Sequence, residues 1–231
     1  MNSTKKAARI AGTLYLVNAV TGFFSIIYVP SKLIVAHNAA ATANNILGSE
    51  KLFRVGIVLE LICAAEFILV VWALWRLLGR VNKAWAWLMV VLGLVTVPVM
   101  LVNALNEIGA LSLFHGADFL SVFDKQQLDA AAMLFLDLHS AGFLIAWNFG
   151  LWFFPLGLLV YRSGFLPRVL GFLLFAGGCG YMAQCLTFFF PITHANLVNQ
   201  IASVPVAIGE PSFILWLLIR GAKDRPLERL S

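Results

Sequence analysis

Long apolar runs separated by short polar stretches organise this chain. Six stand out, at about residues 10–29, 53–78, 84–108, 131–161, 169–190 and 197–220. Each is long enough to cross the ~30 Å hydrocarbon core of a bilayer as a helix rising ~1.5 Å per residue. The polar positions inside the runs recur at helical, not alternating, spacing. Asn18, Thr21, Ser25 and Tyr28 line one side of the first run, and Gly93, Thr96, Met100, Asn103 and Glu107 share a face of the third. The pattern predicts an all-α, polytopic membrane protein: a single domain over residues 1–231, built as a bundle of six transmembrane helices.

Breakers refine the picture. The first run exceeds the 7–15 apolar residues of a signal peptide, so it is expected to be a retained span that ends at Pro30. Pro98 is expected to kink the third span, and Pro205 and Pro211 to interrupt the sixth. Gly142, Ala146 and Gly150 form a ladder of small residues suited to close helix packing in the fourth. Residues 112–130 interleave Phe119, Leu120, Val122 and Phe123 with charges, the pattern of a short amphipathic helix lying on the membrane surface.

Composition agrees. The chain is 61% hydrophobic and 12% charged, with mean hydropathy +0.90, against ~25% charged in soluble domains. The net charge of +5 does not point to nucleic acid, because the basic residues form no single block or face. They cluster at the ends of apolar runs. With six spans and a cytoplasmic N-terminus, twelve of the 16 Lys and Arg fall inside and four (Lys32, Lys51, Arg54 and Lys125) outside. That bias places both termini in the cytoplasm of a multi-pass inner-membrane protein. Cys63, Cys179 and Cys185 lie in apolar runs without metal-type or CxxC spacing, as small hydrophobic residues do.

The acids within the spans carry the functional signal. Glu60, Glu66, Asp137 and Glu210 lie inside apolar runs and Glu107 near the outer end of one. An ionisable residue at bilayer depth costs at least ~2.5 kcal/mol and marks a functional site by default. Glu210 sits between Gly209 and Pro211 and is the leading candidate. Glu60 and Glu66 are too far apart around a helix to share a cavity, and Glu60 is preferred. Arg54 is close enough in sequence to reach it. The expected cavity lining is Glu210, Asp137, Glu60, Asn18, Asn103, Asn148, Tyr181 and Gln184. Their depth is biased outward, which predicts a cavity open to the external side.

Other chemistry is weaker. His37, His115, His139 and His194 all fall on outer loops or the outer end of a span, but no two have the i, i+4 spacing of a helical ligand pair. Asp137, His139 and Ser140 diverge on one helix, there is no GxSxG elbow, and the glycines of the fifth run have no nucleotide-binding register. His139 reads as interfacial and Ser140 as packing. No metal and no cofactor is expected.

The stretch Tyr161-Arg162-Ser163-Gly164-Phe165-Leu166-Pro167-Arg168-Val169-Leu170-Gly171, followed by Gly180-Tyr181, resembles the signature of a bacterial membrane family known as domain of unknown function 4386. Gly209-Glu210, Leu215 to Gly221, and Ala8-Arg9-Ile10-Ala11-Gly12 with Tyr15-Leu16 extend the resemblance over nearly the whole chain. Pro211 departs from the apolar residue more usual there. The resemblance implies a six-span bacterial membrane protein and no particular reaction. The functional expectation is binding or transport of a small molecule or lipid through the polar cavity. The alternatives are an intramembrane enzyme with a carboxylate acid or base, and a structural or regulatory subunit. Beyond the lipid bilayer and a second copy of the chain, no partner is expected.

Overall fold

The computed structural model describes residues 3–146 and 150–223, and among these every regular element is helical. The first run forms α1 (Ser3–Gly22), a π-helical segment (Phe23–Tyr28) and α2 (Val29–Leu33). Pro30 does not end it as expected. The proline falls in the first turn of α2, directly after the π-helical segment, and the helical path continues to Leu33. The polar connection holds α3 (Ala39–Gly48), capped by Asn38 Oδ1, which accepts the Ala41 N–H at 3.0 Å. The second run is α4 (Glu50–Leu78).

The third run forms α5 (Lys83–Leu94) and α6 (Thr96–His115). The break falls at Val95 because Pro98 has no N–H for the Leu94 carbonyl and crowds it. Residues 118–120 make a single 3-10 turn in place of the expected surface helix, and Phe119 and Val122 are exposed. The expected single span at 131–161 is in two pieces, α7 (Lys125–Ala146) and α8 (Phe153–Ser163). Between them Gly150 takes φ +72, a left-handed conformation that an α-helix cannot contain. Gly150 therefore does not extend the small-residue ladder of α7.

The last two runs are α9 (Arg168–Phe189) and α10 (Ala195–Ile219). The interruption expected at Pro205 and Pro211 does not occur, and α10 runs through both prolines. Among the described residues five helical stretches are long and apolar enough to cross a membrane: Thr4–Leu33, Glu50–Leu78, Lys83–His115, Arg168–Phe189 and Ala195–Ile219. The protein is an all-α polytopic membrane protein.

Where the sequence suggests one domain, the chain gathers into two compact units. The first comprises residues 1–17, 67–96 and 147–231. In it α9 packs along α8 and α10, and α5 packs on α8. Gly157 and Gly171 let α8 and α9 touch backbone to backbone: a Cβ on either would lie within 2.9 Å of the other's carbonyl oxygen. Gly164, at φ +69, ends α8, and Ser163 Oγ accepts the Leu166 N–H. The Ser-Gly-Phe-Leu-Pro-Arg stretch is thus a helix-to-helix turn.

The second unit comprises residues 18–66 and 97–146. Its apolar core joins Val29, Ile46, Phe53, Ile57, Leu111 and Leu136. Much of the chain's apolar surface points outward, as at Val102 (65% exposed), while Glu60 and Asn103 are buried. That inversion suits a hydrocarbon solvent.

Candidate functional site: a buried carboxylate–histidine centre

The core of the second unit contains three ionisable side chains from three helices. Glu60 on α4, Glu107 on α6 and His139 on α7 are 1%, 3% and 4% exposed. His139 Nε2 lies 2.8 Å from Glu60 Oε2 and 3.7 Å from Glu107 Oε2. Three potential ligand atoms, one from each residue, all lie within 4.8 Å of one another. Glu60 Oε1 and Glu107 Oε2 are closed off from solvent and have no hydrogen-bond partner.

The helix faces explain the convergence. Ala132, Leu136, His139 and Phe143 are buried at steps of four, three and four residues, the inward stripe of α7. Asn103 and Glu107 are one turn apart on α6. Asn103 locks α6 to α7: its Nδ2 donates to the His139 carbonyl at 2.9 Å, and its Oδ1 accepts from Asn106 at 3.1 Å. Its amide fits against Gly142, where a Cβ would stand 2.0 Å from Asn103 Oδ1. Phe143 packs edge-on to the His139 ring, with centroids 4.8 Å apart.

No Lys or Arg neutralises the pair of acids among the described residues. Arg54, close enough in sequence to reach Glu60, instead donates to Glu50 at 2.6 Å, and Lys125 donates to Asp129 at 2.7 Å. Even with a protonated imidazole, two ionised carboxylates leave an uncompensated buried negative charge, which costs several kcal/mol. A bound cation or shared protons would remove it. The donor set fits a metal in kind: ligands ~2.1 Å from a tetrahedral Zn²⁺ stand about 3.4 Å apart, between the 2.8 and 3.7 Å that separate His139 from the two acids.

The first unit holds a second polar group. Glu210 on α10 accepts hydrogen bonds from the Tyr15 hydroxyl at Oε1 and from the Tyr181 hydroxyl, at 3.4 Å, on Oε2. Tyr15 also meets Phe213 edge-on and Trp152 at a tilt, and Phe153 stacks on Tyr181. Trp152 and Phe213 are buried, so packed rings surround the acid.

The residues expected to line one cavity are thus distributed. Glu60 and Asn103 belong to the centre in the second unit. Glu210 and Tyr181 belong to the polar group of the first, where the Gln184 carbonyl accepts from Thr187. Asn18 Nδ2 donates to the Cys63 carbonyl at 2.8 Å and lies 3.2 Å from its sulfur. Asp137 is not buried; it sits on the exposed side of α7, two residues before His139 and off the inward stripe. Asn148 lies outside the described residues. Sequence reasoning missed Glu107, His139 and Tyr15 as site members, and His139 is buried where an interfacial position was expected. The stripe through Ala132, Leu136, His139 and Phe143 was the available signal.

Comparison with known proteins gives a family and supplies no activity. The family described as "Domain of unknown function (DUF4386)" matches residues 10–221, and the chain belongs to it. An uncharacterised protein of Archaeoglobus fulgidus is 35% identical over 75 residues, covering 32% of this chain and 43% of that protein. The chain thus spans less than half the length of this relative. No solved structure matches.

Proposed function

Starting from that membership, we propose that this multi-pass protein resides in the bacterial inner membrane and binds a divalent cation of the zinc class at Glu60, Glu107 and His139. One observation carries the reading: Glu60 and Glu107 converge on one imidazole, and each keeps a buried carboxylate oxygen that accepts no hydrogen bond. A buried oxygen left without a donor costs ~1–3 kcal/mol, more when charged, and a metal ion removes that cost at both. The three residues lie about 12–21 Å along their helices from the ends of α4, α6 and α7 that the charge bias assigns to the external side. Three protein ligands leave a fourth position for water or a small molecule, so the same centre serves ion binding, transport or metal-assisted chemistry.

Metal analysis of the detergent-purified protein, equilibrated with Zn²⁺ and desalted, tests the reading. The expected result is about one equivalent per chain, lost in Glu107→Gln and His139→Asn variants that elute as monodisperse folded protein. A wild-type protein that retains no Zn²⁺, Mn²⁺ or Fe²⁺ would overturn it. So would variants that retain as much as the wild type.

A further inference from the structure

The first unit has a second, independent feature. A groove of about 250 Å³ runs between α4 and α5, with no polar surface along its walls. Val71, Trp72 and Trp75 line it from α4, and Trp87, Val90 and Leu94 from α5. Val71 is its buried floor, and Trp72 and Trp87 are half-exposed rims. This volume is below the ~300–1,000 Å³ of a drug-sized pocket. An apolar slot of that size suits one hydrocarbon chain.

One end of the groove is different. The α4–α5 turn brings Arg76, Arg80 and Lys83 there, and all three are exposed. The Arg76 guanidinium is already placed, 4.9 Å above the Trp72 ring. Among the described residues these cations have no carboxylate partner. Glu210 is the one acid among the described residues of this unit, and it is occupied by Tyr15 and Tyr181. Trp75 Nε1, near Gly79 in the same turn, is closed off and has no acceptor. The positive-inside rule accounts for cations beside a span. It does not account for their gathering at the mouth of an open apolar slot beside an unpaired indole N–H.

We propose that this groove is a binding site for an anionic phospholipid. One acyl chain lies between α4 and α5, the phosphate meets Arg76, Arg80 and Lys83, and a small rotation of the half-buried Trp75 ring presents its N–H to an ester carbonyl. Arg76 matches phosphate geometry through its planar fork of donors. The site is separate from the metal centre and does not depend on it.

Native mass spectrometry of the full chain, equilibrated in detergent with equimolar dioleoyl phosphatidylglycerol and dioleoyl phosphatidylcholine, tests the proposal. Wild type is expected to retain phosphatidylglycerol preferentially, with affinity falling about fivefold for each charge removed in the series R76Q, R80Q and K83Q. Leu94→Trp fills the slot and leaves the charges in place; it is expected to lose the retained lipid as well. The proposal fails if the triple glutamine variant keeps the preference. It also fails if Leu94→Trp binds phosphatidylglycerol like wild type, since surface charge alone would then hold the headgroup. Preference for phosphatidylcholine in the wild type overturns it outright.

Discussion

Replacing Gly142 with alanine probes how the metal centre is held. The added Cβ would stand 2.0 Å from Asn103 Oδ1, 2.5 Å from its Cγ and 3.0 Å from Nδ2. Turning the amide alone cannot relieve a 2.5 Å approach to Cγ, so the side chain must leave its position or α6 and α7 must separate. Asn103 is only 4% exposed, so the adjustment is made inside a packed core, where overpacking costs ~1–3 kcal/mol. The bond from Asn103 to the His139 carbonyl is lost too, and such bonds between membrane helices are worth ~0.6 kcal/mol on average and up to ~1.7. Together the loss comes to about 2–4 kcal/mol. Reversible unfolding in mixed micelles measures it, with metal retention recorded on the same samples. Asn103→Ala in the Gly142→Ala background is expected to restore part of the stability, because it removes the clash, but not metal binding, because His139 stays unlocked. Gly109→Ala is the control: its Cβ would meet the Phe135 ring at 3.0 Å, and that partly exposed ring can swing aside. Gly142→Ala within ~0.5 kcal/mol of wild type, the range of a surface change, would refute the account.

Other variants address the rest of the structure. Tyr15→Phe and Tyr181→Phe each remove a donor to Glu210 and are expected to destabilise by ~1–3 kcal/mol. In combination with Glu210→Leu their effects should fall short of additive, because the acceptor has gone; unfolding titrations of the single and double variants decide. Glu210→Gln keeps an oxygen for Tyr15, so near-normal abundance by fluorescence-detected size exclusion is expected; absence of folded protein would show that the carboxylate itself is needed for packing. In a background without Cys63, Cys179 and Cys185, an impermeant maleimide added outside intact cells should label Ser121→Cys and spare Arg162→Cys. Labelling of both would contradict the orientation taken from the charge bias.

The helical class and the membrane setting were legible in the sequence because run length and hydropathy depend on local composition, which bilayer thickness constrains directly. The helix ends were less legible. Pro30 and Pro98 are the same residue type in similar runs, yet the path continues through one and breaks just before the other. What separates them is position within the turn, set by the π-helical segment ahead of Pro30 and the break at Val95 ahead of Pro98. The site was half legible. Glu60 and Asn103 could be picked out as polar residues at depth, and Glu107 placed on the Asn103 face, but His139 could not be joined to them. A ligand set drawn from three helices leaves no fixed spacing along the chain; only the inward stripe of each helix encodes it. Asp137 shows the converse, because a carboxylate two residues from a buried histidine on one helix necessarily points elsewhere.

The continuity of α10 through Pro205 and Pro211 has a kinetic consequence. Neither proline can donate to the carbonyl four residues earlier, so the helix lacks a backbone rung at Ile201 and another at Ala207. The two gaps lie on the N-terminal side of Glu210, within about three turns of it. Transient separation of strands of hydrogen bonds is cheapest where rungs are already missing, so amides between residues 202 and 210 should exchange with deuterated solvent ahead of those in the unbroken C-terminal turns. The carboxylate that three helices share through two tyrosines therefore sits beside the part of α10 that breathes first.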